Sequence, residues 1–153
     1  MPNKSQVHRT HILKVLDFET PYHINRESYK FAEMKGAFCI SKSIGAEVSI
    51  EYTESQKLYK KAFDKIELDI FTTDNEDVAI KQNDFYSVGS IRIDRKILYI
   101  TISVPEKDFE FISNAFYYGN AKFIEITSLE LNRGKAIIIN ASLRKSIDLE
   151  DYI

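Results

Sequence analysis

The stretch Ile97-Leu98-Tyr99-Ile100-Thr101-Ile102-Ser103-Val104 decides the fold class of this chain. Leucine, isoleucine or valine occupies every second position from Leu98 to Val104, and tyrosine, threonine and serine occupy the positions between. Such alternation with a period of two is typical of a β-strand that buries one face. The chain therefore contains a half-buried strand, and the segments on either side can be interpreted relative to it.

A helix is predicted directly after this strand, from about 105 to 118. Pro105 ends the strand because it has no N–H group for the ladder, and it suits the first turn of a helix. Phe109, Ile112 and Phe116 recur at spacings of three and four, so they share one face. Gly119 fits the left-handed position after the last turn. We expect this helix to lie across a sheet.

The same helix carries a second apolar strip, Phe111, Ala115 and Tyr118. Two interpretations are open. This strip can be buried between the sheet and a loop, or Phe111, Tyr117 and Tyr118 can form an exposed patch that binds a protein partner.

Period-two patterns return after the helix. Residues 121–131 alternate with a change of phase near Ser128, which predicts a β-bulge there or at Thr127. Asn132-Arg133-Gly134 suits a three-residue hairpin loop with the glycine in the left-handed conformation. The return strand is predicted from Lys135 to about Leu143.

The segments before residue 97 also read mainly as strands, over residues 11–18, 37–52, 65–73 and 90–94. Thr53-Glu54-Ser55-Gln56 matches a capping box, which predicts a short second helix over about 54–63.

Together these patterns predict a β-rich α+β fold. We expect an antiparallel β-sandwich or a curved sheet of about seven to nine strands, with the helix at about 105–118 packed on it and a short second helix. We expect one globular domain over residues 1–153, with flexible ends at 1–10 and 148–153, or a short docking segment at the C-terminal end. Open antiparallel edges would be templates for association.

Composition narrows the class of protein. The 153 residues are 44% hydrophobic and 29% charged, which is ordinary for a globular protein and argues against disorder. No run approaches the roughly 18 apolar residues of a membrane span. Cys39 is the single cysteine, so an internal disulfide is excluded. Met1 to Gln6 lack the apolar core of a secretory signal, and we expect a cytoplasmic protein.

The formal net charge of -2 disfavours a general nucleic-acid binder. One local basic cluster stands out, because Lys57, Lys60 and Lys61 would share a face on the second helix. This cluster is either a solvated face or a contact for an acidic partner or a phosphate backbone.

Candidate catalytic and metal-ligating residues are few. The histidines His8, His11 and His23 and the thiol of Cys39 lack the tight ligand pairs of a zinc site, and no base is placed beside the cysteine. No Gly-rich phosphate loop or nucleophile elbow occurs. We predict no catalytic residues, no metal and no cofactor.

The leading functional hypothesis is a non-enzymatic protein-interaction module, such as an inhibitor or immunity-type antagonist, or a subunit that self-associates. Its predicted binding residues are Phe111, Tyr117, Tyr118, Lys57, Lys60 and Lys61. The alternative is an enzyme or small-ligand binder with a pocket between the sheet and helix 105–119. A lower alternative is nucleic-acid contact through the Lys57–Lys65 face.

Overall fold

The structure is a computed structural model, and it describes residues 7–20, 22–26, 38–59, 61–73, 80–82 and 85–152. In these ranges the strands are β1 (His8–Glu19), β2 (Tyr22–Arg26), β3 (Phe38–Thr53), β4 (Lys65–Thr73), β5 (Ile80–Gln82), β6 (Phe85–Ser87), β7 (Gly89–Asp94), β8 (Ile97–Pro105), β9 (Phe123–Leu129) and β10 (Lys135–Arg144). The helices are α1 (Gln56–Tyr59), α2 (Glu106–Tyr117) and a 3-10 helix (Leu149–Tyr152).

Seven of these strands form a closed barrel in the order β1-β9-β10-β7-β8-β4-β3, and β3 then pairs with β1. β1 closes the ring because it forms backbone hydrogen bonds on both edges. Leu13 lies opposite Ile50 of β3 on one edge and opposite Ile124 of β9 on the other. Neighbouring strands of the ring are antiparallel, with the exception of β4 and β8, which run parallel.

The predicted antiparallel sandwich or curved sheet is therefore wrong, because the sheet closes on itself and contains a parallel pair. Alternation identifies a strand and its buried face, but it carries no information about which strand lies beside it. Closure also removes free edges from the ring, so the expected association through an open barrel edge has no template there.

Two smaller elements lie outside the ring. β2 pairs antiparallel with the first part of β3, and among the described strands it has a partner on one side only. β5 and β6 form a short hairpin of their own.

Aliphatic side chains from all seven strands fill the interior of the barrel. The half-buried strand predicted from the sequence of β8 is confirmed, because Leu98, Ile100 and Ile102 are buried. The other strands contribute Leu13, Ile44, Val48, Leu68, Ile70, Ile91, Ile124, Ile126 and Ile138. A barrel of this size is a packed core, and its hydrophobic burial is the main stabilising term of the fold.

α2 closes one end of the barrel, which corrects the prediction of a main helix laid on a sheet face. It begins at the end of β8 and leads to β9, two strands that are not neighbours in the ring. Phe109 and Phe116 point into the core, and the ring of Phe116 lies 5.4 Å from that of Phe18 near the end of β1. Gly119 follows with a φ of +74°, as predicted for the residue after the last turn.

The second helix is much shorter than the predicted 54–63, because α1 spans only Gln56–Tyr59. The hydroxyl of Thr53 accepts from the N–H group of Ser55, as a capping residue does, and it also lies 2.7 Å from Nδ1 of His11. The capping pattern is therefore formed in part, and it does not by itself produce a helix of the predicted length. The following segment is tied down by a hydrogen bond from Asp64 N–H to the carbonyl oxygen of Lys96 (2.8 Å).

Three bulges decide which residues face the interior. The extra residues are Leu16 on β1, Glu51 on β3 and Ile139 on β10. The bulge predicted near Thr127 or Ser128 of β9 is not there, because the extra residue at this point is Ile139 on the partner strand β10. Each bulge moves the following side chains to the other face of the sheet.

The C-terminal segment docks on the outside of the barrel. The hydroxyl of Tyr152 donates to Glu125 Oε2 (3.0 Å), and its ring lies 5.7 Å from that of Tyr52. Ile12 lies between Tyr52 and Glu125 in the cross-strand row and is fully buried, although it is not part of the interior core. The segment therefore covers an outward-facing apolar residue.

The two sides of α2 should respond differently to the same substitution. Phe116→Ala should lower the free energy of unfolding by about 3–5 kcal/mol, because it leaves a cavity in the core. Phe111→Ala, on the exposed side, should change it by less than about 0.5 kcal/mol. Urea denaturation of both variants measures the difference, and equal losses would contradict the placement of the helix across the barrel end.

Candidate functional site

The outer side of α2 carries an aromatic surface, which we call the aromatic face and define as Phe111, Tyr117 and Tyr118. Their side chains are 77%, 63% and 78% exposed. Phe111 and Tyr118 are seven positions apart and lie on the same side of the helix, about 10 Å apart along its axis. These side chains are therefore exposed in the structure, and they are not buried between the sheet and a loop.

Tyr117 is the member of the aromatic face whose side chain is held in place. Its ring meets that of Phe18 edge-on at 5.7 Å, and its hydroxyl shares a 2.8 Å hydrogen bond with the hydroxyl of Thr20. The opposite side of α2 is anchored in the core by Phe109 and Phe116. A side chain held in place, such as that of Tyr117, loses little entropy when a partner binds.

The contact between α2 and the barrel is filled with side chains. Phe109 and Phe116 are 8% and 3% exposed, and Ile112 and Ala115 pack against the same cluster. A pocket between the sheet and helix 105–119, which the small-ligand alternative requires, finds no support in this contact.

The predicted lysine cluster is only partly preserved. Lys57 and Lys61 are exposed, but α1 ends at Tyr59 and the two residues do not share a continuous helix face. Lys57 Nζ donates to the carbonyl oxygen of Leu131 (2.7 Å) at the end of the barrel opposite α2. Lys60 lies outside the described residues.

The sequence missed other cations at this end. Arg92 and Lys135 are direct cross-strand neighbours on β7 and β10, although they are far apart along the chain. No local spacing could have joined them to Lys57 and Lys61, because only the closed barrel brings the three segments together.

A buried polar network lies at the same end, around His11, which is 2% exposed. His11 Nδ1 lies 2.7 Å from Thr53 Oγ1, and Nε2 lies 2.8 Å from Ser128 Oγ. The Ser128 hydroxyl donates to the carbonyl oxygen of Leu129, so its oxygen accepts from the ring. We therefore assign the proton to Nε2, and Nδ1 accepts from the Thr53 hydroxyl. Both ring nitrogens are satisfied in the neutral form.

Burial lowers the pKa of His11 from 6.5 to about 4, although the nearby carboxylates of Glu54 and Glu130 oppose this change. His11 is consequently neutral at pH 7. A neutral, fully hydrogen-bonded ring is suited to joining β1, β3 and β9, and it is not free to act as a base or a metal ligand.

Glu130 forms the other half of the network. Its carboxylate accepts from Arg9 Nε (2.6 Å), from the Ser55 hydroxyl (3.1 Å) and from the N–H group of Leu131 (3.1 Å). Burial by itself would raise the pKa of Glu130, but these hydrogen bonds lower it below its ordinary value. The network thus ties the first residues of β1 to the segment before α1 and to the loop after β9.

Two other candidate ligands lie on a different strand pair from His11. In the backbone register, His23 lies opposite Ser41 and Cys39 lies opposite Asn25, both on the β2–β3 pair. Within the described ranges, no three His, Cys, Asp or Glu residues are grouped so that they could hold a metal ion. Within the same ranges, no helix combines the length and the apolar character needed to cross a lipid bilayer.

An acidic face covers the outside of three neighbouring strands, β1, β3 and β4, and consists of Asp17, Glu19, Glu47, Glu67 and Asp69. Asp17, Glu47 and Glu67 are direct cross-strand neighbours in one row. Gly45 lies between the others and has no side chain, which leaves an open depression of about 310 Å³. Burial, followed by the charge of Glu67, raises the pKa of Asp69. This face repels anionic partners.

Comparisons of the chain with protein-family models, with curated proteins and with solved structures find no match.

The pKa of His11 makes the stability of the fold depend on pH. In the unfolded chain the ring takes up a proton near pH 6.5, whereas in the folded protein it does so only near pH 4. The contribution of the neutral ring to the free energy of unfolding is complete above pH 6.5. It is lost as the pH falls toward 4, and the total loss is roughly 3 kcal/mol.

Urea denaturation between pH 7 and pH 4.5 should show this loss. In the His11→Gln variant, the part of the decrease in unfolding free energy that comes from protonation of His11 should be absent. This holds whatever the stability of the variant at pH 7. An NMR titration in which the His11 ring of the folded protein gains its proton near pH 6.5 would contradict the interpretation.

Proposed function

We propose that the protein is a non-enzymatic interaction module that binds a protein partner through the aromatic face of α2. The observation that carries this proposal is the exposure of Phe111, Tyr117 and Tyr118 within eight consecutive residues. Aromatic side chains are enriched at the centres of protein interfaces, where they contribute most of the binding energy. An exposed patch of this kind is unusual on a surface that contacts only water.

The surroundings of the aromatic face suit such a role. Lys107 and Asn114 lie on the same side of the helix as Phe111 and Tyr118, at spacings of three and four. An apolar centre with polar neighbours is the usual anatomy of an interface, with water excluded from the middle. The rigid barrel behind the helix means that binding requires little rearrangement of this chain.

Two forms of the proposal differ in the partner. In an inhibitor or immunity-type antagonist, the aromatic face binds a different protein. In a self-associating subunit it binds a second copy, and the symmetric contact of two such helices would bury both aromatic faces. A cytoplasmic location belongs to the proposal, and a chain with a single cysteine fits it.

Photo-crosslinking tests the surface directly. p-Benzoylphenylalanine placed at position 111 or 118 and irradiated in the native host should give one discrete protein adduct. Position 59 is the matched control, because Tyr59 is also 77% exposed but lies on α1 at the opposite end of the barrel. An adduct with a second copy of the chain identifies the self-associating form.

Substitutions in the aromatic face test the same surface by measuring how strongly the partner is captured. Phe111→Ser with Tyr118→Ser should weaken capture of the crosslinked partner at least tenfold, because two exposed rings leave the centre of the contact. Tyr59→Ser should leave capture unchanged. Equal yields of adduct from positions 59, 111 and 118 would contradict the proposal. Equal capture of the partner by the parent protein, the double variant and Tyr59→Ser would also contradict it.

A further inference from the structure

The barrel end opposite α2 is surrounded by exposed cations, which we call the basic end. They come from α1 and the segment after it, from β7 and its turn into β8, and from the loop and first residue of β10. The members are Lys57, Lys61, Arg92, Arg95, Lys96, Arg133 and Lys135.

Backbone and side-chain contacts hold these segments together. Ile93 N–H donates to the carbonyl oxygen of Gly134 (2.8 Å), which places the loop before β10 beside the end of β7. Asp64 N–H donates to the carbonyl oxygen of Lys96 (2.8 Å), which brings the segment after α1 to the β7–β8 turn. The cations therefore occupy one continuous region of the surface.

An open pocket of about 360 Å³ lies in the basic end, and it is lined by Gln56, Lys57, Lys61, Ile93, Leu131 and Gly134. A cavity lined by both lysine and apolar side chains can accept a group that has a flat apolar part and a negative charge.

The positive charge of the basic end is not neutralised within the described part of the chain. The ion pairs found there join other residues, for example Arg9 with Glu130 and Lys65 with Glu67. Asp64 and Asp94 lie next to the basic residues, and neither forms an ion pair with them in the described ranges. The carboxylates of Glu54 and Glu130 lie at the same end, and Glu130 is paired with Arg9. The seven cations outnumber these four carboxylates, so the potential at this end is positive.

The charges of the chain are segregated around the barrel. One cross-strand row begins with the acidic residues of β1, β3 and β4 and continues through Tyr99 of β8 to Arg92 of β7 and Lys135 of β10. The net charge of -2 counts every charged residue of the chain, and it does not show this separation. A polyanion approaching the protein is repelled by the acidic face and attracted to the basic end.

Arg92 is held in position at the boundary between the two regions. Its guanidinium carbon lies over the Tyr99 ring, 4.8 Å from the ring centroid, which is a cation–π contact. Arg92 is nevertheless exposed to solvent. An exposed guanidinium is chemically suited to stacking on a nucleobase and to donating hydrogen bonds to a phosphate.

We propose that the basic end binds single-stranded nucleic acid. The array of cations follows several strands and turns, which matches a polymer with a regularly repeated charge better than a single anion. The exposed guanidinium of Arg92 and the apolar residues that line the pocket supply contacts for unpaired bases, which a duplex does not expose. This surface is separate from the aromatic face at the other end of the barrel.

The test uses the full chain and a fluorescent 20-nucleotide oligo(dT) or oligo(rU) in a fluorescence-anisotropy titration at several salt concentrations. Engagement of about four phosphates would give a slope near -3 for the logarithm of the binding constant against the logarithm of salt concentration. Arg92→Gln with Lys135→Gln should weaken binding at least tenfold and reduce the slope by about one to two.

The matched control is Lys14→Gln with Lys145→Gln, which removes the same total charge from exposed positions outside the basic end. This control should bind as the parent protein does. Phe111→Ser with Tyr118→Ser should also bind the oligonucleotide unchanged, so failure of the protein-partner proposal and failure of this one are separable.

Several results would overturn the proposal. These are no binding at 20 mM salt, an equal loss in the Lys14/Lys145 control, tighter binding of a duplex of the same length, or equal competition by polyglutamate at matched charge. The last result would identify the basic end as a site for acidic polypeptides. Weaker competition by both the duplex and polyglutamate supports the proposal.

Discussion

The hydrogen bonds on the two edges of β1 are the constraint on which the rest of the structure depends. Because β1 pairs with β3 on one side and β9 on the other, seven strands become a ring with an interior and two ends. The interior is filled by aliphatic side chains, so binding surfaces are left to the outside and the ends. α2 covers one end, and the His11 and Glu130 network fastens the segments of the other.

The sequence was informative where structure is local. The period of two located β4 and β8, and the apolar spacing, Pro105 and Gly119 located α2 to within a few residues. It failed where distant segments decide the outcome. Ring closure depends on pairing between β1 and β9, which are far apart in the sequence, and the helix predicted at 54–63 spans only Gln56–Tyr59. His11 itself gave no local indication that it would be buried.

The two candidate surfaces also differ in whether local sequence or distant segments determine them. Phe111 and Tyr118 could be recognised because both lie on one helix, and the sequence left open only whether they are exposed. The basic end could not be recognised, because its cations come from separate segments and the total charge of -2 conceals them. Average composition is a weak guide to partners when a closed barrel places opposite charges on different sides.

The pairing of β1 with β9 also affects how the chain is made. Arg9 and Glu130, which meet across this seam, are 121 positions apart. During synthesis the alternating apolar strands therefore stay exposed until β9 and β10 have emerged from the ribosome, because no earlier segment can complete the ring. Strands exposed in this way favour aggregation until the ring closes.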